Sequence, residues 1–337
     1  MRRADIFEFS RKPKIGDKMK KYFNVVKLIL PIIAVLISVA AYYGFDDNGK
    51  QKETEYPYYV YFMLIVLGIY LIFAVASVFL KKLRIGIIHK APLLSGVILF
   101  LAAVNVITTK TTILPTLYFP SLDRIIGLIY EQKIFLLENV FCSLKLLATG
   151  FICGASVGFF TGLALGYNPK VGYWLNPVTK FIGPIPTTAW IPLALSVFPT
   201  TQGANIFLIA FAVWFPVTLM TSSGIQSTNQ VHFEVASTLG ASTLYKIIHV
   251  AIPSAMPSIF LGVFYGTVSS FATLMAVEMN GKSSGIGWYI NWQKQVMMYD
   301  GVYAGLIIIA FLCSLILTLL FKVRDHVLVW QKGVIKC

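Results

Sequence analysis

The chain has 337 residues, of which 57% are hydrophobic and 12% charged, and its formal net charge is +14, from 28 Lys+Arg against 14 Asp+Glu. A soluble domain carries roughly 25% charged residues, and at a mean hydropathy of +0.75 there is too little polar surface to face water all round, so a soluble fold is excluded. Four cysteines exclude a disulfide scaffold and the apolar content excludes disorder. What remains is an all-α polytopic membrane protein.

A crossing helix needs about 20 apolar residues. Eight stretches qualify: Leu28–Tyr43, with Pro31 expected in its first turn, then Tyr58–Leu80, Ala91–Thr108, Leu144–Tyr167, Leu175–Phe198, Ala204–Ser223, Pro253–Val277 and Val302–Phe321. Basic residues cluster before the first (Arg2, Arg3, Arg11, Lys12, Lys14, Lys18, Lys20, Lys21, Lys27), after the second (Lys81, Lys82, Arg84, Lys90) and after the last (Lys322, Arg324, Lys332, Lys336). The first connection instead holds Asp46, Asp47, Glu53 and Glu55. That asymmetry predicts both termini in the cytoplasm, and it assigns the basic residues to topology and lipid headgroups rather than to nucleic acid. Ser38-Val39-Ala40 weakly resembles a signal-peptide cleavage site, but the basic segment before it is long and no extracellular domain follows, so the first span is expected to stay.

The connection Lys110–Ser143 is expected to face outside and to hold a surface helix over Ser121–Glu131, with Ser121 as its cap. The character of the chain changes near residue 110, from highly charged connections to spans rich in Gly and Pro. The cytoplasmic connection 225–252 is amphipathic and largely uncharged. Val231–Leu239 reads as a short helix led by Glu234, whose charge would complement the dipole. Gly240, tolerant of φ > 0, ends it. Ser242 caps a second helix to about Val250, and Pro253 suits the first turn of the next span. The small residues Ala236, Ser237, Gly240 and Ala241 leave one side thin. The shape suits a groove on another protein or a bed on lipid.

Glu234-x-Ala236-x3-Gly240-x11-Ile252-Pro253 resembles the EAA signature of permease subunits in binding-protein-dependent ABC importers. From Leu117 to Trp330 the chain is similar to the nitrate/sulfonate/taurine/bicarbonate branch, through Pro120-Ser121, Gly158-x3-Gly162-x3-Gly166, Gly183-Pro184-Ile185-Pro186, the stretch Glu234 to Ser242, Glu278-Met279-x-Gly281-x-Ser283-Ser284-Gly285-Ile286-Gly287 and Tyr303-Ala304-Gly305. The resemblance implies a type I ABC importer permease (MetI-like) core. It also implies a loop docked in a cytoplasmic ATPase dimer, a second permease subunit (the same chain or a paralogue) and an extracellular solute-binding protein. Glu234, Ala236, Leu239, Gly240, Ala241, Ile252 and Pro253 would form the ATPase-coupling surface, with ATP and magnesium held by the partner and no cofactor by this chain. Val235 departs from the alanine usual in the signature and bulks that surface. The implied organisation is a basic segment 1–27, a two-helix extension 28–90 without counterpart in the usual six-span permease, a permease domain 91–330 containing loop 225–252, and a tail 331–337.

Gly150, Gly154, Gly158, Gly162 and Gly166 recur every four residues, which lets two membrane helices approach. The seam reads as static packing first and a sliding surface second. Pro184, Pro186 and Pro192 interrupt the fifth span, and freed carbonyls at membrane depth are tolerated beside a cavity or inside protein. With Thr187 and Thr188 they mark either pathway lining or an ordinary kink; Pro216 and Pro257 carry the same ambiguity. Glu278 ends the seventh span, where it is expected to be solvated near the outer boundary and to serve structure or gating. Ala276–Ser283 nearly matches a P-loop but lacks the first glycine and the preceding strand. His89, His232, His249 and His326 have no metal-ligand spacing, and Cys142, Cys153, Cys313 and Cys337 read as buried free thiols. No catalytic constellation is present, so the chain is expected to be no enzyme. The expected activity is ATP-driven import by alternating access of a small sulfonate-like or nitrate-like anion. The alternatives are a heterocyclic vitamin precursor carried the same way, an ion-gradient-driven carrier, and a membrane scaffold without transport.

Overall fold

The computed structural model describes residues 15–49, 51, 54–111 and 113–330. Arg2, Arg3, Arg11, Lys12, Lys14, Glu53, Lys332, Lys336 and Cys337, used above, lie outside the described residues, as do the tail 331–337 and most of segment 1–27. Among the described residues every regular element is helical. By packing, the chain divides into residues 1–131 and 132–337, rather than at the expected 90/91, because the third long helix packs with the first two.

The first unit contains α1 (Ile15–Gly44), α2 (Tyr58–Phe79), α3 (Lys81–Thr109) and α4 (Leu122–Glu131). α1 and α3 begin about ten residues before their predicted apolar starts, because lysine, arginine and leucine are good helix formers and the helices run on past the hydrocarbon. Pro31 therefore falls inside α1, not in its first turn. Ala34, Val35, Tyr59, Met63 and Ile98 form the core. Ser38 and Tyr59 share a hydroxyl–hydroxyl bond of 2.5 Å, and the Tyr70 hydroxyl donates to Leu28 O at 2.8 Å, so α1 and α2 are antiparallel. α4 begins as the sequence predicts, with the Ser121 hydroxyl accepting from Arg124 N–H at 3.4 Å. It is not a simple surface helix, for it buries Asp123, Ile125, Gly127 and Leu128. The Asp123 carboxylate accepts the Tyr59 N–H at 2.9 Å, one of the amides a helix start leaves without an internal partner.

The second unit contains α5 (Lys133–Tyr167), α6 (Pro169–Ile182), α7 (Ile191–Val197), α8 (Thr201–Gln226), α9 (Gln230–Thr238), α10 (Thr243–Lys246), α11 (Ile252–Gly281), α12 (Ile286–Gln295) and α13 (Tyr299–Val327). α8 lies between α5 and α11. A Cβ on Gly150, Gly158, Gly162 or Gly166 would come within 3 Å of Ile209, Trp214 and Val217, Thr218 and Thr221, or Ile225 respectively. On Gly154 it would meet the backbone of Ala210. The early glycines meet early α8 and the late ones late α8, so α5 and α8 run parallel along a seam of about 24 Å at 1.5 Å per residue. α11 runs the other way: Gly224 meets Ala255 and Ser258, and Gly266 meets Val213.

Parallel neighbours have a topological consequence. The chain must return from the end of α5 to the start of α8, and it does so through residues 168–200. Here the predicted span Leu175–Phe198 is corrected, for it is not one helix. α6 stops at Ile182; Gly183-Pro184-Ile185-Pro186 is irregular; Thr187–Trp190 form one 3₁₀ turn before α7. Two prolines that cannot donate, each constraining the residue before it, break the helix. Seven helices among the described residues are long and apolar enough to cross a membrane, and the broken segment carries the chain back between the end of α5 and the start of α8.

Candidate functional site

The loop between α8 and α11 forms at the end of the bundle where α5 also stops. The Asn229 side chain accepts Val231 N–H at 3.0 Å and starts α9. At the other end Gly240 has φ +78, Gly240 N–H bonds Ser237 O and Ala241 N–H bonds Ala236 O, both at 3.0 Å. This pair of bonds is a Schellman ending, which places glycine in the left-handed position. Ser242 then caps α10 through Tyr245 N–H at 3.3 Å, and a π-helical turn over Ile247–Ala251 leads into α11. Helix, bend and cap stand where the sequence places them. Glu234 does not: it is the fifth residue of α9, away from the first turn, so the expected dipole contribution lapses.

The loop is anchored on one side and bare on the other. Phe233 packs edge-on against Tyr167 and joins the cluster of Ile225, Ala251, Ala255 and Ile259. Lys246 Nζ donates to Ser237 Oγ at 3.1 Å and ties the two short helices. No residue of α9 or α10 is buried. Val231, Val235, Leu244 and Tyr245 are more than half exposed and Leu239 is 82% exposed. Glu234, Gly240 and Pro253 are also exposed, and Ala236, Ala241 and Ile252 half-buried. The result is a contiguous exposed apolar edge on a well-hydrogen-bonded bend.

The broken return carries the second candidate region. Gly183, Pro184, Pro186 and Thr187 line a cavity of about 300 Å³ with Phe215, Tyr265 and Ser269 among the facing residues. Thr188, one residue on, does not line it. Glu278 lies elsewhere, and the expectation that it is solvated is corrected: its side chain is fully buried. Ser143 on α5 donates to its carboxylate at 2.7 Å, Gly287 N–H donates at 2.8 Å, and Ser143 Oγ accepts Ile286 N–H at 2.9 Å. Asn139 takes Gly285 N–H at 2.8 Å. Gly285, at φ +114, has the carboxylate where a Cβ would stand. Glu278 thus locks the α11–α12 elbow onto α5, and the sequence hid this because Ser143 is 135 residues away. The cysteines are corrected too: Cys153 is exposed, Cys142 and Cys313 half-buried. Among the described residues no group of three or more metal-ligating side chains gathers.

Long apolar helices joined by a tight glycine seam define a polytopic membrane protein. A family described as binding-protein-dependent transport system inner membrane component matches residues 154–327. An ABC transporter permease protein of Methanocaldococcus jannaschii is 31% identical over 58% of this chain and 74% of its own length. The taurine transport system permease of Escherichia coli is 26% identical over 53% of this chain and 65% of its own. The nitrate import permease of Synechococcus elongatus is 28% identical over 53% and 63%. The chain belongs to the family of binding-protein-dependent transport system inner membrane components, with its MetI-like ABC permease fold. Members are membrane subunits, not enzymes. The gradient-driven and scaffold alternatives give way to this assignment.

Proposed function

We propose that this chain is the pathway subunit of an ABC importer for small anions, driven by a separate ATPase dimer that grips the bend at Gly240. The observation that carries the reading is the bare apolar edge Val231–Val235–Leu239 on a loop whose Phe233 packs against Tyr167 of α5 and the cluster formed by α8 and α11. A push on that edge reaches three helices at once, which is what alternating access needs. ATP-driven closure of the partner would move the loop and switch the bundle between inward- and outward-open. A second permease subunit would complete the pathway, and a solute-binding protein would deliver cargo at the opposite end. Both termini would then be cytoplasmic. Relatives named for taurine and nitrate support an anionic or sulfonate-bearing solute.

Leu239→Asp is the cleanest test, since the side chain touches little in this chain. The variant should insert and fold normally, yet lose ATPase co-purification by about tenfold or more, the scale of one buried leucine exchanged for a charge, and lose uptake with it. Gly240→Val would distort the bend itself, because φ +78 strains any side chain there. Undiminished ATPase capture by Leu239→Asp overturns the docking assignment.

A further inference from the structure

We propose that the broken pass selects the charge of the solute, with Lys180 as the one cation lining its two cavities and the hydroxyls of Thr187, Tyr265 and Ser269 as neutral donors on the side away from the bend. The proposal rests on the reading of the chain as a permease for small anions. Pro169, Tyr173, Asn176 and Lys180 recur at helical spacing on one face of α6. They line an open cavity of about 640 Å³, bordered by Gly166 of α5 and Gln226 of α8. Lys180 is exposed to this space, and it makes no ion pair with any described residue. Three residues further on begins the 300 Å³ cavity, so the same stretch of chain runs from one to the other.

The second cavity has no charged residue in its lining. Thr267 and Ser270 on α11 turn their hydroxyls back to Val263 O and Thr267 O, at 2.8 and 2.7 Å. Ser269 between them faces the cavity instead, and neither it nor Thr187 nor Tyr265 spends its hydroxyl on a described residue. The acids described in the second unit are Glu138, Glu234, Glu278, Asp300 and Asp325. None lines either cavity, and Glu278 is sealed in its own bonds. An anion entering from the end opposite the bend therefore meets hydroxyl donors that hold it weakly enough to release it, as conduction requires, and then one attractive charge on the side of the bend. The volume of about 300 Å³ holds on the order of ten waters, which suits a small solute. A lysine that merely reaches toward lipid headgroups would leave the potential inside the second cavity unchanged, and this separates the two roles.

The test uses the transporter assembled with its ATPase and binding protein in proteoliposomes, with nitrate and ethanesulfonate as probes. Lys180→Gln should cut the saturating uptake rate about fivefold or more, Lys180→Glu further, and Lys180→Arg should restore most of it, while binding-protein-stimulated ATP hydrolysis persists in all three. In parallel, Thr187→Cys is made in a chain with Cys142, Cys153, Cys313 and Cys337 replaced. There the ratio of anionic to cationic methanethiosulfonate reaction rates should fall at least about threefold when Lys180→Gln is added, on the scale of one charge acting within a Debye length. An unchanged ratio, or unchanged uptake in Lys180→Gln, overturns the proposal. Should the wild-type assembly move neither probe, the solute reading fails, and the thiol ratio still decides whether Lys180 sets the field of the cavity.

Discussion

Among the described residues, the buried acids Glu278 and Asp123 each accept a backbone N–H. Glu278 takes Gly287 N–H and a serine hydroxyl; Asp123 takes the Tyr59 N–H. Burial pushes the Asp123 carboxyl above the usual carboxylate range, with Asp47 adding to the shift, against the lowering effect of Tyr59 N–H, the Tyr42 hydroxyl and Lys110. A carboxyl whose folded value is raised costs the fold stability above that value, where it must ionise in place. The cost disappears as pH falls below the unfolded value. Asp123→Asn, which keeps an oxygen acceptor for Tyr59, should therefore raise the thermal midpoint in detergent at pH 7.5. The gain should shrink steadily toward acid pH. A variant equally shifted at pH 7.5 and pH 4 would assign the effect to packing instead. Neither acid was legible as buried in the sequence: an aspartate beside a cap and a glutamate at a span's edge both look solvated until their distant partners, Tyr59 and Ser143, are placed.

Among helices, the glycines show how the same residue does opposite work by position. On α5 the seam glycines have α8 where a Cβ would stand, at Gly154 against backbone atoms that cannot swing aside. On α3, Gly96 has nothing within 4 Å of that position. Gly154→Ala should cost about 1–3 kcal/mol by overpacking. Gly96→Ala should be neutral or stabilise by about 0.5–1 kcal/mol, since glycine is the weaker helix former and no contact opposes the change. Thermal denaturation of the two variants in one detergent checks the contrast, and equal effects would refute the seam. The four-residue spacing made this interface legible in advance, because it depends on one helix alone. The bend was legible for the same reason: Gly240 and Ser242 act on backbone groups within three residues, whereas the cap at Asn229 emerges only in the structure. The grouping of α3 with α1 was not, because a run of apolar residues with charged ends does not say which neighbour it will choose.

At the scale of the whole second unit, the parallel run of α5 and α8 decides the path of the chain. Two neighbours pointing the same way cannot be joined by a turn, so residues 168–200 must carry the chain back across the thickness of the bundle. Apolar content alone predicted a helix there, and proline chemistry predicted its interruption; the sequence could not say whether the broken segment crosses or folds back. The packing register answers that Lys170, just after α5, and Gln202, at the start of α8, lie at opposite ends. Both side chains are exposed. In a chain lacking its native cysteines, Lys170→Cys and Gln202→Cys should react with a membrane-impermeant maleimide from opposite sides, Gln202→Cys in intact cells and Lys170→Cys only in inverted vesicles if the bend faces the cytoplasm. Labelling of both from one side would make the segment re-entrant, and would undo the five-pass path from which both the docking bend and the charge-selecting strip take their positions.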